Sequence, residues 1–216
     1  MKGLLLKDFY MAAKYCRAFL LLVIVFLAVS IWGDENVFFV IYPVLIAGMI
    51  PVTLYSYDER EKWTLYSGTL PYTRTQFVSS KYLVGLFFET AVFAVSIAIQ
   101  IFRMTASGGF SWEKLFYTVT IFVVLGLLGP SLLLPFVFKF GAEKGRIAFY
   151  VVIGALCAAG TFFSIAADAQ LAGAGLQTSG EVESAWIFAV LCIASVFVYI
   201  LSWRLSVVFY SKRDLA

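Results

Sequence analysis

The residues able to do chemistry are few, and the gaps among them narrow the field. The chain of 216 residues contains no histidine, so the usual general base and the commonest metal ligand are missing. Intramembrane metalloproteases and most His-dependent hydrolases are disfavoured on that ground. Cys16, Cys157 and Cys192 lie inside or at the edge of apolar segments without C-x-x-C spacing, which implies neither a disulfide framework nor a metal site. The motif G-x-x-x-x-G-K-[ST] is absent, and the stretch Gly141 to Arg146 lacks the spacing of a phosphate loop. No serine or cysteine has a candidate base beside it. No catalytic, cofactor-binding or metal residue is therefore expected, and any work drawn from ATP has to be delivered by a partner.

Three polar features remain. The first is Asp58-Glu59-Arg60-Glu61-Lys62-Trp63-Thr64-Leu65-Tyr66, whose charged start suits a short helix and whose Trp63, Tyr66 and Leu70 recur at i, i+3 and i+7. Behind Pro71, Thr73 with Gln76 reads as a capping box and Tyr72 with Phe77 as a hydrophobic staple, which start a helix near Arg74. An amphipathic element joined so rigidly to a helix is suited to being pushed; the alternative is a solvated loop on the headgroups. The second feature is Glu89, about 12 Å beyond Lys81 along that helix. A carboxylate inside an apolar segment is costly unless it faces protein or water, so it is a candidate for a translocation path or a structural hydrogen bond. The third is the set Pro43, Pro51, Pro130 and Pro135 with Gly126 and Gly129, which break helix ladders where a pathway or close packing needs it.

These residues must be positioned by membrane helices. Hydrophobic residues make up 62% of the chain and charged ones 13%, against roughly 45–50% and about 25% in an ordinary soluble domain. Runs such as Phe19 to Ile31 do not alternate, which argues against a β-barrel. Six apolar segments are long enough to span or nearly so: Ala18 to Trp32, Val37 to Tyr55, Tyr82 to Phe102, Leu115 to Phe138, Ile147 to Ala167 and Ala185 to Val208. Trp32, Trp112, Trp186 and Trp203 fall near their ends, at headgroup level. With the N-terminus inside, every one of the 16 lysines and arginines except Arg103 and Lys114 lies on the cytoplasmic side, while the acidic residues other than Glu89 divide evenly. Both termini are accordingly expected in the cytoplasm. The first 17 residues suit an interfacial helix with Leu5, Leu6, Phe9, Ala12, Ala13 and Cys16 on one face and Lys7, Asp8, Lys14 and Arg17 opposite. The alternatives there are a cytoplasmic extension of the first span or a signal peptide. The expected fold is all-α integral membrane: six transmembrane helices, an interfacial helix over 1–17, a cytoplasmic segment over 56–81, and a single domain over 1–216.

Asp58-Glu59-Arg60-Glu61-Lys62-Trp63, followed by Leu70-Pro71-Tyr72-Thr73-Arg74-Thr75-Gln76-Phe77-Val78 and Lys81-Tyr82, closely resembles the loop between the second and third spans of small bacterial ABC-2 type transporter permeases. The Lys7-Asp8 start resembles that family's N-terminus, and the resemblance covers the whole chain. It implies an export half-channel in the bacterial cytoplasmic membrane, made with a second permease copy or a paralogue and driven by two separate ATP-binding cassette subunits. No nucleic-acid partner is implied. The loop would be the coupling helix, with Asp58, Glu59, Arg60, Glu61, Trp63, Leu65 and Tyr66 as the ATPase contact. Trp63, Leu65 and Tyr66 would anchor it, and the four charged residues would form its polar rim. Glu89, Pro43, Pro51 and Pro130 would mark the translocation path. The small, loop-poor form resembles exporters of amphipathic or antimicrobial peptides, such as phenol-soluble modulins. Competing functions are an ion-coupled secondary transporter with Glu89 as proton carrier, and an intramembrane enzyme, which lacks paired carboxylates here.

Overall fold

A computed structural model describes residues 2–32, 37–63, 66, 72–106, 112–148, 150, 151, 154 and 185–212. Among them the elements are helical and no strand occurs: α1 (Lys2–Tyr15), α2 (Arg17–Trp32), α3 (Val37–Gly48), α4 (Ile50–Arg60), α5 (Arg74–Ala106), α6 (Trp112–Phe140) and α7 (Ala185–Lys212). Three helices, α5, α6 and α7, have the length and apolar composition to cross a bilayer, and a fourth span is counted if the bent pair of α1 and α2 is taken as one. The expected count of six is thus not reached among the described residues. Most of the expected fifth span, Ile147 to Ala167, lies outside them. The second expected span is divided at Met49 into helices of 12 and 11 residues.

The division has a local cause. Pro51 has no N–H for the carbonyl of Ala47, so the ladder cannot run through. Met49 keeps helical angles (φ −81°, ψ −15°) and its N–H bonds the closer Ile46 carbonyl at 3.0 Å. Between α1 and α2 the chain bends by 70°, which rules out a straight extension of the first span. The Arg17 guanidinium donates to the Ala13 carbonyl at 2.9 Å, satisfying one of the acceptors that a helix end leaves open.

The capping box is present as expected. The Gln76 N–H donates to Thr73 Oγ1 at 3.3 Å and the Thr73 N–H to Gln76 Oε1 at 3.2 Å. The staple residues Tyr72 and Phe77 belong to one apolar cluster. From this start α5 runs for 33 residues, about 50 Å at 1.5 Å per residue, well beyond a hydrocarbon core of about 30 Å.

The most extensive helix pairing is α6 with α7, followed by α2 with α3, and α3 also lies against α5 and α6. One apolar cluster joins α4, α5, α6 and α7 through Tyr55, Phe77, Phe138 and Tyr210. Its rings meet edge-to-face at 4.8 Å for Tyr55 with Phe138 and stacked at 5.3 Å for Phe77 with Tyr210. Leu21, Ile24, Phe87, Ile193 and Phe197 point away from the packed interior, as lipid-facing side chains do. Trp112 is exposed, whereas Trp203 donates from its indole to Ser79 Oγ at 3.1 Å. The side chains of Trp32 and Trp186 lie outside the described set.

Pro135 inside α6 frees the Ser131 carbonyl, and α7 answers it: Ser202 Oγ donates to that oxygen at 2.6 Å and shares a 2.7 Å hydrogen bond with Tyr82 Oη. Tyr82 also reaches Ser206 Oγ at 2.7 Å, and Tyr199 donates to the Tyr82 carbonyl at 2.9 Å. In lipid such a freed carbonyl needs a partner from a neighbouring helix. Ser202→Ala should therefore lower stability by about 1–3 kcal/mol, the range for a buried acceptor left open, read as thermal unfolding in detergent. In a Pro135→Ala background, where a backbone N–H can return to Ser131, the same change should do less harm. Equal losses in both backgrounds would show that the proline and the serine are not partners.

Candidate functional site

Three helices bring charges together at one point. Lys7 and Asp8 come from α1, Asp58 from the last turn of α4, and Ser80 and Lys81 from the second turn of α5. Lys81 and Asp8 have no exposed side-chain surface and Asp58 has 1%. Lys81 Nζ lies 2.7 Å from Asp8 Oδ1 and also pairs with Asp58 Oδ2. Lys7 Nζ is 2.6 Å from Asp58 Oδ1 and 3.6 Å from Asp8 Oδ1. Ser80 Oγ donates to Asp8 Oδ2 at 3.1 Å. Two cations and two anions leave no net charge, and each carboxylate touches both ammonium groups. That is the arrangement in which Coulomb attraction offsets desolvation. Burial pushes the Lys7 ammonium below its ordinary value and the Lys81 charge adds to this, while Asp58 and Asp8 oppose it.

This placement corrects two expectations. Asp8 was expected on the polar face of α1, but the buried stripe of that helix is Leu4, Asp8 and Ala12, and Leu6 is exposed. Asp58 was expected on the rim of a partner contact, yet its carboxylate points into the chain. In both cases a lysine from another helix supplies a better partner than water. The periodicity of a single helix carries no record of that lysine. The signal available was positional: opposite charges stand at the ends of three apolar segments in a chain poor in charge.

The rest of the expected coupling segment surrounds this cluster. α4 continues without a break through Ser56 to Arg60, so the segment begins as its last turns rather than as a separate helix. Glu61 leaves the helix, and Lys62 takes a left-handed backbone angle (φ 53°) that turns the chain. Glu59 Oε2 accepts the Ala142 N–H at 2.7 Å, at the start of the helical residues 142–148 and directly after Gly141 (φ 90°). A carboxylate at that position favours the helix N-terminus, and it removes Glu59 from the expected rim as well. Arg60, Glu61 and Tyr66 remain exposed. Tyr15 stacks on Tyr57 at 4.4 Å and donates to Glu61 Oε1 at 3.3 Å. Trp63 is half-buried, with Lys7 Nζ 4.4 Å from its ring centroid and Tyr66 at 5.4 Å. Leu65 lies outside the described residues.

The second part of the site is at Glu89. Its side chain is 5% exposed and neither oxygen has a hydrogen-bond partner among the described residues. Gly48 of α3 makes the room: a Cβ there would stand 3.2 Å from Glu89 Oε1 and 3.3 Å from Pro130 Cδ. One turn earlier on α5, a Cβ on Gly85 would meet Pro51 Cγ at 3.0 Å. Glu89, Pro130 and Pro51 are thereby brought along one line of contact between α3, α4, α5 and α6. Pro43 is buried in α3, outside that line.

A family model described as ABC-2 family transporter protein matches residues 3–211. No curated protein and no solved structure matches the chain at a significant level.

The charge cluster makes a definite forecast. Lys81→Met leaves two buried carboxylates facing one lysine and should cost about 3–5 kcal/mol. Adding Asp8→Leu restores neutrality around the Lys7–Asp58 pair and should recover most of that loss. Thermal unfolding of the purified single and double variants decides the matter. A double variant no more stable than Lys81→Met would mean that the charges are not acting as one balanced set.

Proposed function

This chain belongs to the ABC-2 family of transporter proteins, and on that premise we propose that it is the membrane subunit of an ATP-driven exporter whose helices are moved through the segment Asp58 to Tyr66. It is a multi-pass membrane protein. In the proposed assembly six spans are completed by the region 147–167, both termini are cytoplasmic, and the membrane is the bacterial cytoplasmic one. Two such subunits, identical or paralogous, form the pathway. Two separate cassette subunits bind ATP and magnesium and carry out hydrolysis. Amphipathic or antimicrobial peptides are the proposed cargo, supported by the small, loop-poor form of the chain.

The observation that carries the coupling reading is the buried charge cluster. A partner pressing on Arg60, Glu61, Trp63 and Tyr66 presses on the end of α4. Asp58 at that end is held by Lys81 of α5 and Lys7 of α1, and Glu59 by the backbone of Ala142. Force applied there reaches three other parts of the chain through short polar contacts. Tyr66 is 59% exposed beside the half-buried Trp63, and such aromatics are the usual hot spots of interfaces. The translocation path of this reading runs past Glu89, Pro130, Pro51 and Pro43. A secondary transporter with Glu89 as proton carrier is favoured by one observation, the unpartnered carboxylate, and is separated from the export reading by whether transport stops without ATP.

Two measurements test the proposal. Cysteines placed one at a time in a cysteine-free background should react with an impermeant reagent from outside at Asn36, Ser107 and Gln177, and not at Ser67, Gly141 or Ser211. Labelling of Ser67 from outside sinks the orientation and the coupling argument with it. Trp63→Ala and Tyr66→Ala should each weaken ATPase binding by about 2 kcal/mol or more, or leave an assembled complex that hydrolyses ATP without transport. Because Trp63 also packs against Lys7, Tyr66→Ala is the cleaner variant. Wild-type transport, ATPase activity and partner affinity in both would reduce the segment to a solvated connector.

A further inference from the structure

An arginine stands where the surface of α7 otherwise offers only apolar side chains. Ile193, Phe197, Ile200, Leu205 and Val208 are turned away from the packed helices, and Arg204 is exposed among them. Ile200 lies one turn before it on the same stripe and Val208 one turn after. Lys212, where α7 ends, is about 12 Å further along. Among the described residues no carboxylate pairs with Arg204. The described part of α7 holds no acidic residue, and the single one on α5, Glu89, is buried. A guanidinium does not shed its proton to escape an apolar setting, so Arg204 calls for an anion from outside the chain.

Beside it α5 and α7 leave a groove of about 310 Å³, which runs from Ser79 and Trp203 along Leu83, Leu86 and Ile200. The Arg204 guanidinium lies 5.5 Å from the centroid of the Trp203 ring, at one end of that groove. Polar atoms along the walls are already committed. The Trp203 indole donates to Ser79 Oγ, Tyr82 Oη bonds Ser202 and Ser206, and Tyr199 Oη donates to the Tyr82 carbonyl. Hydrocarbon and aromatic ring surface are what remain for an occupant. Leu83 and Ile200 are 48% and 50% exposed, so the groove opens away from the packed interior.

The pairing of a cation with an apolar furrow selects among occupants. A soluble anion would use Arg204 and leave the furrow empty, while a polar cargo would find no partner within it. A phospholipid uses both. The guanidinium fork matches two phosphate oxygens, and an acyl chain supplies the dispersion contacts that an empty furrow forfeits. A head group with its own ammonium brings a second positive charge towards Arg204, which favours net-anionic ones.

We propose that this groove is a phospholipid site, with Arg204 holding the phosphate of a net-anionic head group and one acyl chain lying along Leu83, Leu86 and Ile200. The lipid covers the seam at which Trp203 and Ser202 bond α7 to α5. The site stands apart from the export reading and does not depend on the cargo.

The test uses the purified full chain in detergent, stripped of lipid, with dioleoyl phosphatidylglycerol or zwitterionic dioleoyl phosphatidylcholine added back. Native mass spectrometry counts bound lipid, and thermal unfolding reads its effect. Wild type should hold one phosphatidylglycerol several-fold more tightly than phosphatidylcholine and unfold at a higher temperature with it. Arg204→Gln should lose roughly tenfold in phosphatidylglycerol affinity, as for a hydrogen bond to a charged group, and should unfold like wild type when lipid-free. Arg204→Lys should keep part of that affinity. Leu83→Trp, which fills the groove, should weaken both lipids. Equal affinity of wild type for the two lipids, unchanged phosphatidylglycerol binding by Arg204→Gln, or unchanged binding by Leu83→Trp would each overturn the site. The wild-type comparison decides the head-group assignment even where a variant fails to fold. A lipid-free dimer that Leu83→Trp dissociates would overturn it too, by giving the groove to a second copy of the chain.

Discussion

Burying Lys81 and Asp8 completely constrains this end of the helix bundle more than any apolar contact does. An apolar contact can slide by an ångström and lose a fraction of its energy, but a buried ammonium moved away from its carboxylates loses several kcal/mol. Lys81 has two such partners, one from α1 and one from α4. The N-terminal helix is consequently fixed to the packed helices, at 70° to α2. The fully buried Ala12 and Cys16, packed with Ile50, Leu54 and Val84, close the apolar seam beside the charges.

A second constraint is backbone. Prolines within membrane helices free carbonyls that water cannot satisfy. At Pro135 the debt is met by Ser202, which joins α6 to α7 and, through Tyr82, to α5. At Pro130 the freed position lies instead beside two cavities and an unpartnered carboxylate. One proline therefore marks a place where three helices are locked, and the other a place where they leave space.

How much of this was legible in the sequence depends on the range of the interaction. The start of α5 is encoded within four residues, and Thr73 with Gln76 marks it in the sequence itself. Glu89 was legible because an ionisable group stands out in an apolar run, whatever its neighbours. The inward turn of Asp8 and Asp58 was not, because their partners are 73 and 51 positions away in the bonds Lys81 to Asp8 and Lys7 to Asp58. Helical periodicity sends such charges to solvent by default. The Glu59 contact with Ala142 spans 83 positions and escaped for the same reason. The division of α3 from α4 was half legible: Pro51 announced a break in the ladder, but not that Met49 would carry the chain on at nearly helical angles.

The two parts of the site are linked by a single stripe of α5. Phe77, Lys81, Gly85, Glu89 and Phe93 recur every four residues, so they form a stripe that winds around the helix by about 40° per step, about 160° from first to last. In order they supply the apolar anchor, the charge clamp, the close contact with Pro51, the buried carboxylate and an aromatic wall of its cavity. The contact at Gly85 has no side chain of its own to absorb displacement, since a Cβ there would already crowd Pro51. Lys81 and Glu89 are about 12 Å apart on this rigid element. A displacement of the α4 end must therefore either break buried ion pairs or carry α5 with it. The ion pairs at Lys81 and the buried carboxylate of Glu89 therefore sit about two turns apart on one element.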